Sequence, residues 1–193
     1  MDTTITSSAI QQQEQDMFRT ISLTALLTGI LDITAAIIKF YIDTNRGAVL
    51  KLTGDQEPGP VSFITFLTHG GPDRIFKFIA RGVFGNDGAT DGTLMIIWGI
   101  VFHFMIAFLF TAFLFLVYPA VVKWIKNKFL TGILYGLFIW AVMNLVVLPL
   151  SRLPNPKSFD MTQAVIGALI LIFMIGIPVA LIANRYYSKK STH

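Results

Sequence analysis

The chain has 193 residues, 54% of them hydrophobic and only 13% charged, with a mean hydropathy of +0.66 and a formal net charge of +4. A soluble globular domain carries roughly twice that share of charge, about 25%, so the composition excludes one, and nucleic acid is not an expected partner; the lipid bilayer is. The absence of cysteine excludes a disulfide framework, a thiolate metal site and a thiol nucleophile.

The first 19 residues (MDTTITSSAIQQQEQDMFR) are polar and Gln-rich and lack the basic start of a signal peptide. The apolar run that follows, residues 20–42, is long enough to cross a hydrocarbon layer of ~30 Å at ~1.5 Å per residue, and is expected to be a retained first span. Ala25, Gly29, Asp32, Ala36 and Lys39 recur every three or four residues on it. Helical geometry places them on one stripe, which should face protein, while Leu26, Leu27, Ile30 and Ile37 face lipid.

Residues 43–92 form a long connection. Within it PDRIFKFIARGVF (72–84) places Ile75, Phe78, Ile79 and Val83 at helical spacing, with Arg74, Lys77 and Arg81 on another face. This predicts a short amphipathic helix that caps the bundle or lies on the lipid surface, with Asp73 in its first turn and Gly85 past its end; VSFITFL (61–67) is a second candidate. The acidic, glycine-rich GNDGATDG (85–92) lacks the alternating ligands and closing glutamate of an EF-hand and reads as a turn. His69 has no second ligand at metal spacing, so no metal site is expected.

The second span, residues 93–118, carries Gly99, His103, Ala107 and Thr111 four apart among many phenylalanines. Gly132 and Gly136 in the third span (131–150), and Ala164 and Ala168 in the fourth (161–183), are further small-residue pairs that let helices approach closely. Gly176, Ile177 and Pro178 are expected to bend the last span. The predicted fold is therefore all-α: a single membrane domain over residues 1–193, built as a four-transmembrane-helix bundle with a long first loop.

Seven Lys and Arg residues flank the N-terminal, second-loop and C-terminal segments, and seven lie in the first and third loops. The former are denser near the span ends, and the first loop mixes its basic residues with six acidic ones, so both termini are expected in the cytoplasm and the first loop outside. Tyr118, Trp124, Tyr186 and Tyr187 then read as aromatic anchors at the inner interface.

Asp32 lies ten residues from Ile42, and His103 ten from Thr93, which sets both at similar mid-membrane depth. An ionised carboxylate there is costly unless partnered, and His103 is the one deep titratable candidate, so an Asp32–His103 pair is the first expectation. The other is separate satisfaction: Asp32 as a neutral acid bonded to Thr28 or Thr34, and His103 bonded to a backbone carbonyl. Lys39, Asn144 and Gln163 all fall on the outer side of Asp32 and suggest a vestibule open outward and closed inward.

WGIVFHF (98–104), Tyr118 with Pro119, KNKFLTGILYG (126–136) and LPL (148–150), together with the region from Gly29 to Ala36 and Lys39, resemble the YagU-like group of small bacterial inner-membrane proteins. That resemblance implies a bacterial inner-membrane location and an association with acid tolerance. The resulting expectation is a non-enzymatic, cofactor-free, multispanning protein that senses pH through the Asp32–His103 centre. The alternative is a transporter or channel coupled to an ion or proton. It needs a homo-oligomer, because one chain offers no polar route through the inner half.

Overall fold

The computed structural model describes residues 2–51, 62–85, 92–154 and 160–190, and all the regular structure in them is helical. The elements are α1 (Asp2–Lys51), α2 (Phe63–Thr68), α3 (Gly71–Phe84), α4 (Thr93–Trp124), α5 (Lys128–Val142), α6 (Leu148–Leu150), α7 (Met161–Leu171) and α8 (Ile177–Lys190). Five-residue π-helical stretches, Met143–Val147 and Ile172–Gly176, join α5 to α6 and α7 to α8. Four continuous helical segments are therefore long and apolar enough to cross a membrane: Gln11–Asn45, Thr93–Trp124, Lys128–Leu150 and Met161–Lys189. The polar N-terminal stretch does not end the first of them; α1 begins at Asp2 and passes through it.

Both π stretches precede a proline by two residues. Leu148 N–H bonds back to Met143 O, and Ile177 N–H to Ile172 O, each a five-residue step. The residue that follows is Pro149 in the first case and Pro178 in the second. A proline ring clashes with the carbonyl four residues earlier in a regular α-helix, and a widened turn just before it removes that conflict. The expected irregularity at Pro178 is thus a change of helical register, and it has an unforeseen twin at Pro149.

The third and fourth spans cross closely. A Cβ on Gly132 would stand 2.6 Å from Ile177 Cα, one on Gly136 2.5 Å from Ile172 Cα, and one on Gly176 2.3 Å from Gly132 O. The glycines of one helix thus receive the backbone of the other's π-helical stretch. Such close approach gains dispersion contact in a lipid solvent that offers no hydrophobic drive for helix association.

Around this crossing the bundle end that carries the chain termini is solid. Ile21, Leu114, Phe115, Tyr118, Tyr135, Ile139, Ile175, Val179, Ala180 and Ala183 form one buried cluster. Its hydroxyls are satisfied within it: Tyr118 donates to Asn184 Oδ1 at 3.0 Å, Tyr187 to Phe115 O at 2.7 Å, and Tyr135 to Phe110 O. Tyr118 is only 2% exposed, so it is a core residue and not an interfacial anchor, whereas Trp124, 89% exposed, stands clear of the bundle. Tyr186 and Tyr187 are half-buried against Phe115.

The opposite end is organised by α2 and α3. Ser62 caps α2 by accepting from Thr65 N at 3.2 Å, and Phe66 is buried between Phe40, Tyr41 and Gly71. Gly70 and Gly85, at φ of 80° and 83°, bound α3 where a side chain would be strained. The helix expected at 72–84 is therefore present, but it is wedged into the bundle. Ala80 is fully buried, and Gly99 of α4 accepts the α3 backbone so closely that an added Cβ would lie 2.0 Å from Phe76 O. The small residue at 99 thus serves the loop helix and not a neighbouring span. On α3, Arg74 is exposed while Lys77 is half-buried. The backbone N–H of Arg152 donates to Gly82 O at 2.9 Å, tying the chain after α6 to the same helix. Residues 86–91, which carry most of the GNDGATDG turn, lie outside the described residues, as does Lys157.

Candidate functional site

Polar side chains gather in the half of the bundle that the core does not fill. The stripe on α1 turns inward as the periodicity requires: Ala25 and Gly29 are buried, Asp32 is half-buried, and Leu26, Leu27 and Ile30 are exposed on the outer surface of the bundle. Gly29 meets α4, where its missing Cβ leaves room for the Phe104 ring, 2.8 Å from where that atom would be.

An open cavity of about 490 Å³ lies between α1, the third span and α7. Asp32, Ala36 and Lys39 line it from α1, Trp140 and Asn144 from the third span, and Asp160, Gln163 and Gly167 from the start of the fourth. Lys39, Asn144 and Gln163, read from sequence as a vestibule, therefore meet in one space together with Asp32. Seven residues separate Lys39 from Asp32 along α1, which sets the carboxyl about 10 Å deeper than the lysine. Asp160 stands exposed at the shallow end and caps α7, accepting from Thr162 N at 2.8 Å and Gln163 N at 3.2 Å. Lys39 Nζ is committed to Asp43, 2.6 Å away, the one ion pair among the described residues. Asn144, within the first π-helical stretch, donates to Trp140 O at 2.8 Å.

A second, smaller cavity of about 240 Å³ adjoins the deep end. Asp32, Ala36 and Leu171 line both, so Asp32 stands at the partition. The inner space is otherwise apolar, walled by Ile75 and Ile79 of α3, Ile106, Ala107 and Phe110 of α4, and Ile139, Met143 and Ile175, with His103 as its other polar member.

The expected Asp32–His103 pair is not formed. His103 Nε2 lies 2.9 Å from Gly29 O, and its hydrogen bond is spent on that backbone carbonyl. The ring packs edge-on against Phe104. Nor do the neighbouring threonines serve Asp32: Thr28 Oγ1 donates to Thr24 O at 2.9 Å, and Thr34 Oγ1 to Ile30 O at 2.7 Å, each one turn back on its own helix. Helical hydroxyls reach the preceding carbonyls with no change of geometry, and that local bond wins. Asp32 makes no hydrogen bond or ion pair among the described residues; it and His103 line the same cavity with neither between them. Of the four packing glycines, Gly29, Gly132 and Gly136 sit at contacts between spans, and Gly99 at the contact with α3.

Sequence reasoning missed Trp140, which lines the cavity and whose indole nitrogen lies 3.7 Å from where a Cβ on Gly167 would be. It also missed Asp160, whose place directly ahead of the fourth apolar run was the available signal. The chain matches no protein-family model, no curated protein and no solved structure.

Proposed function

We propose that the chain is a non-enzymatic, multi-pass protein of a bacterial inner membrane, with both termini cytoplasmic, that responds to external acidity through protonation of Asp32. One observation carries this reading: Asp32 lines both the open cavity that gathers Lys39, Asn144 and Gln163 and the smaller, more apolar one beside it, and it makes no hydrogen bond or ion pair among the described residues. A carboxylate at this depth is costly when charged, and taking up a proton from the open side removes the cost. The shape of the helices around the inner cavity is then coupled to the state of one acid. The density of Lys and Arg around the termini and the resemblance to the YagU-like group support the orientation and the location.

The groups that face Asp32 are few. His103 shares the inner cavity from α4, Lys39 with Asp43 lies further along α1, and Asp160 precedes α7. The inner wall from α3 is made by Ile75 and Ile79, and that from α5 by Ile139, none of which titrates. The alternative, a transporter or channel, needs a polar route past Leu114, Phe115, Tyr118, Tyr135 and Val179, all buried together at the terminal end, and therefore a further copy of the chain.

Trp140 supplies the test. With Trp98 and Trp124 changed to Phe, it is the sole indole and lines the same cavity as Asp32. Its fluorescence in lipid nanodiscs should change with pH in a single titration that Asp32→Asn abolishes. An unchanged titration in the Asp32→Asn protein would defeat the proposal. Proton flux across proteoliposomes would decide for the transporter instead.

A further inference from the structure

We infer that the open cavity is a binding site for a small organic monocation, a protonated amine or a quaternary ammonium group, seated between the Asp32 carboxylate and the Trp140 indole. The inference rests on the reading of Asp32 above and adds a ligand to it.

The lining carries the choice of ligand. Its cation, Lys39, is already bound to Asp43, so no uncommitted positive charge waits there for an anion. Two carboxylates remain, Asp32 at the deep end and Asp160 at the shallow end. A bare metal ion needs several oxygen ligands converging on one point, and these two do not converge. Asp160 and Leu171, which shares the deep end with Asp32, lie eleven residues apart, about 16 Å along the helix. An organic cation needs a single carboxylate, an aromatic face and apolar walls. Asp32 provides the first; Trp140, the side-chain type most favoured for cation–π contact, brings an indole ring to the same cavity wall. Ala36, Ala164, Gly167, Ile170 and Leu171 provide the third. Asn144 gives one amide N–H to Trp140 O, and its side-chain carbonyl is an acceptor that can serve a cation. The volume of about 490 Å³ lies within the range of small-molecule sites, about 300 to 1,000 Å³. The acid at the shallow end raises the local concentration of cations at the entrance.

Proton and cation then compete for Asp32, so the cation should bind more weakly as the pH falls. The probe is choline, with its uncharged isostere 3,3-dimethyl-1-butanol as comparison, titrated by calorimetry into the full-length protein in nanodiscs. Choline should bind saturably and the alcohol should not. Asp32→Asn should weaken choline at least about tenfold, and Trp140→Leu about three- to thirtyfold. Thermal unfolding of Asp32→Asn in the same nanodiscs, expected at or above the parent's, guards against a general folding defect in that variant. Equal binding of the alcohol, or choline binding indifferent to Asp32→Asn, overturns the inference, because the cavity would then be an apolar niche for lipid or detergent. If choline fails to bind while the Asp32-dependent fluorescence titration persists, the ligand is wrong and the acid response stands. Loss of both removes both.

Discussion

Gly99→Ala tests whether α3 is an integral part of the bundle. The added methyl would lie 2.0 Å from Phe76 O, 2.5 Å from Phe76 C and 2.8 Å from Phe76 Cα. All three are backbone atoms of a helix that is itself held by Gly82 O to Arg152 N. No rotamer change can relieve the clash, so ordinary contact at about 3.4 Å requires α3 to move away by about 1.4 Å. Overpacking of this kind costs about 1–3 kcal/mol, and here it also lifts Ile75 and Ile79 off the inner cavity. Gly82→Ala on the facing helix is the matched control: its Cβ would meet nothing nearer than Ser151 Cβ at 3.8 Å, and the gain in helix propensity is up to about 1 kcal/mol. Thermal unfolding in detergent should separate the two, with Gly99→Ala melting well below the parent and Gly82→Ala at or above it. Equal melting temperatures for both variants would mean that α3 does not pack against α4 at Gly99.

Topology, surface and the polar centre give three further tests. A C-terminal alkaline-phosphatase fusion should be inactive, as expected for cytoplasmic termini, and activity in the periplasm would reverse the orientation. A cysteine replacing exposed Arg74 should label with an impermeant reagent from outside faster than one replacing half-buried Lys77, and protection at 74 would count against an outward α3. Finally, His103→Ala removes the bond to Gly29 O and should cost at least about 1 kcal/mol, whereas Asp32→Asn removes no hydrogen bond or ion pair among the described residues and should be neutral or stabilising. The double mutant should then equal the sum of the singles within about 0.5 kcal/mol, and a larger discrepancy would show that the two residues are coupled across their shared cavity.

What could be read from the sequence divides along a physical line. Hydropathy and a 3.6-residue period report which face of each helix is buried, and α1 obeys them: Ala25 and Gly29 lie inside, and Leu26, Leu27 and Ile30 outside. Counting from the span ends likewise set Lys39, Asn144 and Gln163 on the outer side of Asp32, and they line one cavity. Periodicity does not say what covers a face or which acceptor a donor takes. Gly99 shows the first gap, since its small face is filled by a loop helix that the four-span picture left outside. His103 shows the second. At a common depth a carboxylate and a backbone carbonyl are equally available to an imidazole, and Gly29, lacking a Cβ, lets the α4 side chains close enough for its carbonyl to be chosen. Under the proposed function, leaving the acid without that bond matters. A paired Asp32 would be a structural fixture holding α1 to α4, insensitive to what enters the cavity; an unpaired one at the partition of two spaces can exchange its charge with a proton or a bound cation while the glycine-packed crossing of the third and fourth spans stays intact.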